Sequence, residues 1–160
     1  MSRIYLSEFQ KQRIFHQLEQ AYPEEAAGFL LGHMVAGYIA AVDVVIDEIV
    51  PVDNVSDAGE KRRRFVVKPQ DWMRLEDQAD ASGLQLIGCY HSHPDAAAIP
   101  SAFDLEHSYP NFLYIIVAVN EGRATDMRSY ELSRKGSHEH ITAVVSAESW
   151  QEIMSWPHTK

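Results

Sequence analysis

Four residues whose side chains can bind a metal or act in catalysis follow one another in the stretch GCYHSHPDAAAIPSAFD. His91 and His93 are two positions apart, and Ser101 and Asp104 follow after two prolines. Alternate residues of a strand face the same side, so the two imidazoles should lie next to each other. Pro94 lacks the N–H that a strand interior needs and should end the strand. The pattern predicts two histidines that can bind one divalent cation.

A carboxylate can complete this site from the start of the next helix. Pro100 favours a turn, so Ser101 should be an N-cap residue and Asp104 should lie in the first helical turn. From there the carboxylate can reach His91 and His93. Two histidines and one aspartate leave the fourth tetrahedral position of Zn²⁺ open, as in catalytic sites, whereas structural sites have four protein ligands. We therefore predict a zinc site with one open position.

A histidine pair by itself is weak evidence, since most H-x-H sequences contain exposed or hydrogen-bonded histidines. The chain has a second pair, His138 and His140, and no proline, serine or aspartate follows it at a suitable spacing. We interpret this second pair as part of a surface strand. The first pair differs because Pro94, Pro100 and the serine and aspartate accompany it.

A general base is expected upstream, in the stretch YPEEAAGFLLG. Glu24 and Glu25 precede an apolar run that should belong to the core. Either one can be an exposed charge at a helix end. A carboxylate at the edge of a buried strand can also take and pass the proton of a metal-bound water.

Interleaved helices and strands must position these residues. Their order, with several hairpin-like strand pairs, favours an α+β (mixed α/β) fold in which helices flank a sheet. The expected elements are strands at 3–6, 28–32, 37–50, 65–67, 84–93, 112–119, 126–132 and 140–146, and helices at 8–21, 69–83, from 101 and from 147.

Length and composition predict a single domain over residues 1–160. The net charge of −9 argues against nucleic-acid binding, which requires positive charge. No apolar run approaches the roughly 18 residues of a membrane span, and the N-terminus lacks the pattern of a signal peptide. Cys89 is the single cysteine, so no internal disulfide can form, and we expect a cytoplasmic protein.

Two features of the sequence leave alternatives open. The basic run at 61–64 is a solvated loop or a docking patch for an acidic partner. Trp150 and Trp156 pack on the core of the same chain or on a second copy in a homodimer.

Two motifs together resemble the JAMM (MPN+) metalloprotease family. They are E-x-x-G-x-L-x-G in residues 25–32 and H-x-H-P-x6-S-x2-D in residues 91–104. The resemblance implies a curved mixed sheet between helices, similar to the cytidine deaminase fold. Many relatives have a cysteine before Gly28, where this chain has Ala27, and we expect no loss of activity from this difference.

The resemblance also implies a role for each site residue. His91, His93 and Asp104 would bind Zn²⁺, Glu25 would be the general acid/base that activates the zinc-bound water, and Ser101 would help to stabilise the tetrahedral intermediate.

The implied activity is hydrolysis of the amide bond after the C-terminal Gly-Gly of a ubiquitin-like protein. The short chain is similar to compact bacterial members that act on ubiquitin-like sulfur-carrier proteins. A non-enzymatic MPN interaction scaffold and a phage-tail peptidase of the same family are the alternatives. A deaminase of the related fold would need H-x-E with P-C-x-x-C, and the chain has one cysteine.

Overall fold

The computed structural model describes residues 4–36, 42–52, 69–109 and 112–131. Within these ranges the chain forms six strands and three helices, and the predicted α+β fold is confirmed. The elements in chain order are β1 (Ile4–Tyr5), α1 (Glu8–Ala21), β2 (Ala27–Ala36), β3 (Val42–Val52), α2 (Pro69–Ala81), β4 (Gln85–Pro94), α3 (Ala102–Glu106), β5 (Leu113–Asn120) and β6 (Arg123–Glu131).

The strand boundaries differ from the predicted ones around the first hairpin. β2 continues four residues beyond the predicted end at Gly32, and β3 ends at Val52 rather than at residue 50. The predicted strands at 65–67 and 140–146, the helical tail, the basic run at 61–64 and both tail tryptophans lie outside the described residues.

One mixed sheet contains all six strands in the order β1-β3-β2-β4-β5-β6. The pairs β1–β3 and β4–β5 are parallel, and the other neighbouring strands are antiparallel. In the β2–β4 pair, Ala27 lies opposite His91. The beginning of β2 is therefore next to the end of β4, although more than 60 residues separate them in the sequence.

Helices α1 and α2 cover opposite faces of this sheet. Ile14 and Leu18 of α1 pack into the core cluster that contains Leu30 of β2, whereas Leu75 of α2 packs against Phe29. Neighbouring residues of a strand point to opposite faces, so these two clusters lie on the two sides of the sheet. No described helix is long and apolar enough to cross a membrane.

The start of α1 follows from its sequence. Ser7 is the N-cap residue, and its side chain accepts a hydrogen bond from the backbone N–H of Gln10. The helix ends at Ala21, and the chain then turns toward the segment that contains Glu25.

Candidate active site

His91 and His93 lie together near the end of β4. Both side chains are buried, and their Nε2 atoms are 3.2 Å apart. The period of two along the strand brings the imidazoles to the same side, as the sequence predicts. β4 continues to Pro94, after which the chain leaves the sheet.

Asp104 faces both histidines from the first turn of α3. Its Oδ1 lies 3.3 Å from Nε2 of His91, and its Oδ2 lies 3.0 Å from Nε2 of His93. A capping box holds this carboxylate. The Asp104 N–H donates to Oγ of Ser101 at 3.1 Å, and the Ser101 N–H donates to Oδ2 of Asp104 at 2.9 Å. The predicted N-cap at Ser101 is therefore also what orients the aspartate.

The spacing of these donor atoms is close to that of ligands around a small divalent cation. Zn–N and Zn–O bonds of about 2.0–2.2 Å put neighbouring ligand atoms of a tetrahedron about 3.3–3.6 Å apart. The contacts among His91, His93 and Asp104 span 3.0–3.3 Å. The two contacts of Asp104 are made by different carboxylate oxygens, and all three residues place donor atoms close enough together to bind one cation.

The hydrogen bond made by Nδ1 of His93 shows which ring nitrogen carries the proton and which one directs its lone pair at this site. Nδ1 of His93 lies 2.8 Å from the carbonyl oxygen of Ala97, which can only accept, so Nδ1 carries a proton. Nε2 of the neutral ring then directs a lone pair at the Asp104 carboxylate, whereas Nε2 of the protonated ring donates a hydrogen bond to it. Such a convergence of electron-pair donors is stable when a cation, either a metal or a proton, lies between them.

The pKa values of His93 and Asp104 also indicate that the site favours a cation. Burial by itself lowers the pKa of His93, but the hydrogen bond to Asp104 and the one to Ala97 outweigh it and raise that pKa. Burial likewise raises the pKa of Asp104, yet hydrogen bonds from His91 and His93 hold that pKa well below its usual range. The aspartate is thus ionised, and the site attracts positive charge.

Glu25 lies beside the two histidines and is also buried, with 3% of its surface exposed. A carboxylate oxygen of Glu25 and one ring nitrogen each of His91 and His93 lie within 4.8 Å of one another. Burial, followed by the charge of Asp104, raises the pKa of Glu25 to about 8. Glu24 is exposed, so the structure separates the two glutamates that the sequence left as alternatives.

The motif glycine after Glu25 makes room for a core tyrosine. A Cβ atom at Gly28 would overlap the hydroxyl end of Tyr90, which lies opposite it in the β2–β4 pair. Tyr90 is fully buried, and its hydroxyl donates to the side chain of Gln17 on α1. Gln17 in turn donates to the Ala27 carbonyl at 2.9 Å. The glycine in E-x-x-G thus lets β2 lie close to β4 beside the site.

The loop between Pro94 and Ser101 makes contacts with distant segments that the sequence did not reveal. Asp95 has a φ of +54°, accepts from the Tyr22 hydroxyl at 2.7 Å and accepts from the Glu121 N–H at 2.9 Å. The carbonyl of Ala98 accepts from the hydroxyl of Tyr130 at 2.5 Å. An aspartate directly after the H-x-H-P motif was the available signal, since aspartate tolerates left-handed backbone.

A family model described as prokaryotic homologs of the JAB domain matches residues 10–133 of this chain. The chain belongs to this family. The resemblance inferred from the two motifs is thereby confirmed. The matched range includes both carboxylates, both histidines and the serine of the site.

Known proteins are similar to this chain in sequence or in fold. Desampylase from Haloferax volcanii is 33% identical over 104 residues, which are 64% of this chain and 68% of that protein. The solution structure of a protein from Desulfitobacterium hafniense is similar in fold, with a TM-score of 0.69 and 24% identity over 83% of this chain and 86% of that one. A second solution structure, from Salinibacter ruber, has a TM-score of 0.61 and 29% identity, with 90% of each chain covered.

Proposed function

We propose that the protein is a zinc-dependent peptidase that cleaves the amide bond after the C-terminal Gly-Gly of a ubiquitin-like protein of the sulfur-carrier type. The enzyme class is that of a JAMM-type hydrolase, as the motifs predict. The observation that carries the proposal is the convergence of His91, His93 and Asp104 beside the buried carboxylate of Glu25.

His91, His93 and Asp104 are proposed to hold the metal. When bound, zinc supplies a Lewis acid that polarises a carbonyl and lowers the pKa of water. A resident metal would also neutralise the negative charge of Asp104 in a site that is mostly buried. We therefore expect the purified protein to contain stoichiometric zinc, whereas a non-enzymatic scaffold would not need it.

Glu25 and Ser101 are proposed to carry out the proton transfer and the stabilisation of charge. The Glu25 carboxylate accepts a proton from the attacking water and then delivers it to the leaving amine. The Ser101 hydroxyl uses a lone pair to accept from the Asp104 N–H, and it donates its own proton to the oxyanion that forms from the scissile carbonyl. Because Ser101 is exposed at the start of α3, a substrate can reach it.

Two arguments support the proposed substrate class: the similarity to desampylase, and the shape of a peptide tail that can reach the site. Desampylase supports action on a ubiquitin-like protein. An extended Gly-Gly tail suits a buried pair of histidines because glycine lets the backbone approach where a side chain would clash. A cytoplasmic location remains part of the proposal, because a lone cysteine cannot form a disulfide within the chain.

The direct test is incubation of the zinc-loaded protein with a panel of ubiquitin-like sulfur-carrier proteins, each extended by a few residues beyond Gly-Gly. Mass spectrometry should show loss of the extension from at least one carrier. The same carriers with Gly-Gly changed to Ala-Ala are the control and should stay intact. Intact masses for the whole panel would contradict the proposal.

A further inference from the structure

Ser92 lies between the two histidines and contacts the backbone beside Glu25. Its hydroxyl accepts a hydrogen bond from the Ala26 N–H at 3.0 Å, and its own N–H donates to the Ala26 carbonyl at 3.0 Å. Ser92 is fully buried, so water does not compete for these bonds. Ser101, in contrast, is exposed at the mouth of the site.

These two bonds mark the point where β2 leaves β4. In a hydrogen-bonded pair of an antiparallel ladder, the two residues exchange both N–H···O=C bonds. Ala27 and His91 are the terminal pair of the β2–β4 ladder. At the next position, Ala26 and Ser92 keep one backbone bond, while the serine hydroxyl accepts the N–H that would otherwise point to a carbonyl. The Ser92 hydroxyl thus provides a hydrogen-bond acceptor for the Ala26 N–H at the point where the chain turns away from the sheet, next to Glu25.

We propose that Ser92 is a positioning residue that aims the Glu25 carboxylate at the two histidines; this rests on the proposed role of Glu25. The Ala26 nitrogen is bonded to the Glu25 carbonyl carbon, so a hydrogen bond at that nitrogen restrains the Glu25 peptide. A displacement of a catalytic group by about 1 Å can cost about 100-fold in rate. Ser92 does not contact substrate in this scheme and acts only through the backbone of Ala26.

Three variants test this role. Ser92→Ala removes the acceptor for the Ala26 N–H, and Ser92→Thr keeps it. Ser129→Ala is the matched control, because Ser129 is also a fully buried serine of the same sheet and its hydroxyl has no hydrogen-bond partner among the described residues. If Ser92→Ala does not fold, Ser92→Cys takes its place, since a thiol fills similar space and accepts only weakly.

Kinetics and zinc content separate positioning from a general contribution to stability. Measured well below the unfolding temperature, Ser92→Ala should lower kcat by about 10- to 100-fold with KM and zinc content unchanged, and Ser92→Thr should restore kcat. Ser129→Ala should behave as the wild type. A wild-type kcat in Ser92→Ala, or a loss of zinc together with activity, would overturn the proposal.

Hydrogen exchange gives a readout without substrate. By NMR, the Ala26 amide should exchange faster in Ser92→Ala than in the wild type or in Ser129→Ala, while the amide of Phe29 inside β2 should not change. Unchanged exchange at Ala26 would overturn the proposal. If the wild type cleaves no carrier, the proposed function fails, and the exchange at Ala26 still decides whether Ser92 holds this backbone.

Discussion

At the scale of single residues, burial separates two glutamates that are neighbours in the sequence. Glu25 is 3% exposed and lies beside the histidines, whereas Glu24 is exposed to solvent. A buried carboxyl with a pKa of about 8 can exchange a proton near neutral pH. The neighbouring carboxylate of Glu24 is exposed to solvent, and it therefore provides an internal control.

Changing Glu25 to Gln should abolish turnover while zinc stays bound. The amide has nearly the shape of the carboxyl group but cannot accept a proton, and general acid–base catalysis contributes about 100- to 10,000-fold. Single-turnover cleavage of a carrier and metal analysis would measure the two effects separately. Glu24→Gln should cleave at the wild-type rate. Cleavage by Glu25→Gln at the wild-type rate would show that another group transfers the proton.

At the scale of secondary structure, the elements that carry His91, His93 and Asp104 could be predicted because their signals are local. The period of two places His91 and His93 together, and the spacing of Ser101 and Asp104 predicts the N-cap that the structure contains. The pairing of β2 with β4 could not be predicted in this way, since nothing near Ala27 in the sequence specifies its partner. Before that pairing was known, only the family resemblance distinguished Glu25 from its neighbour.

The loop between His93 and Asp104 shows the same limit of prediction from sequence. Asp95 reaches Tyr22 and the turn at Glu121, contacts that join segments distant in sequence. Its positive φ depends on how the loop returns from Pro94 to α3. The aspartate after the H-x-H-P motif permits such a backbone, but only the closed loop requires it.

The backbone at Asp95 leads to a prediction on stability. Asp95→Ala should be less stable than Asp95→Gly by about 0.5–1 kcal/mol, because left-handed backbone costs alanine more than the conformational entropy that glycine loses on folding. Urea unfolding of both variants gives the difference. At the next residue, whose φ is not positive, Ala96→Gly should instead destabilise. An Asp95→Ala variant as stable as the glycine variant would refute the left-handed assignment.

At the scale of the whole molecule, the fold brings together a site whose residues come from distant parts of the chain. Glu25 precedes β2, the histidines end β4 and Asp104 begins α3, while the two helices that cover the sheet lie on opposite faces. Metal bound at such a site connects segments that would separate on unfolding. Zinc binding should therefore stabilise the entire fold.

Removal of zinc by a chelator should lower the free energy of unfolding of the wild type. At free zinc 100 times the Kd, the stabilisation is about 2.7 kcal/mol. Asp104→Ala, which lacks one proposed ligand, should show little dependence on zinc. An equal response of both proteins would mean that zinc binds elsewhere, and no response of the wild type would mean that the site does not hold it.

The most direct measurement is an anomalous difference map, collected at the zinc absorption edge, from crystals of the zinc-loaded protein. We expect one strong peak within bonding distance of Nε2 of His91, Nε2 of His93 and a carboxylate oxygen of Asp104, with the Glu25 carboxyl beside the peak but not bound to it. A peak elsewhere, no peak, or Glu25 bound as a fourth protein ligand would contradict it.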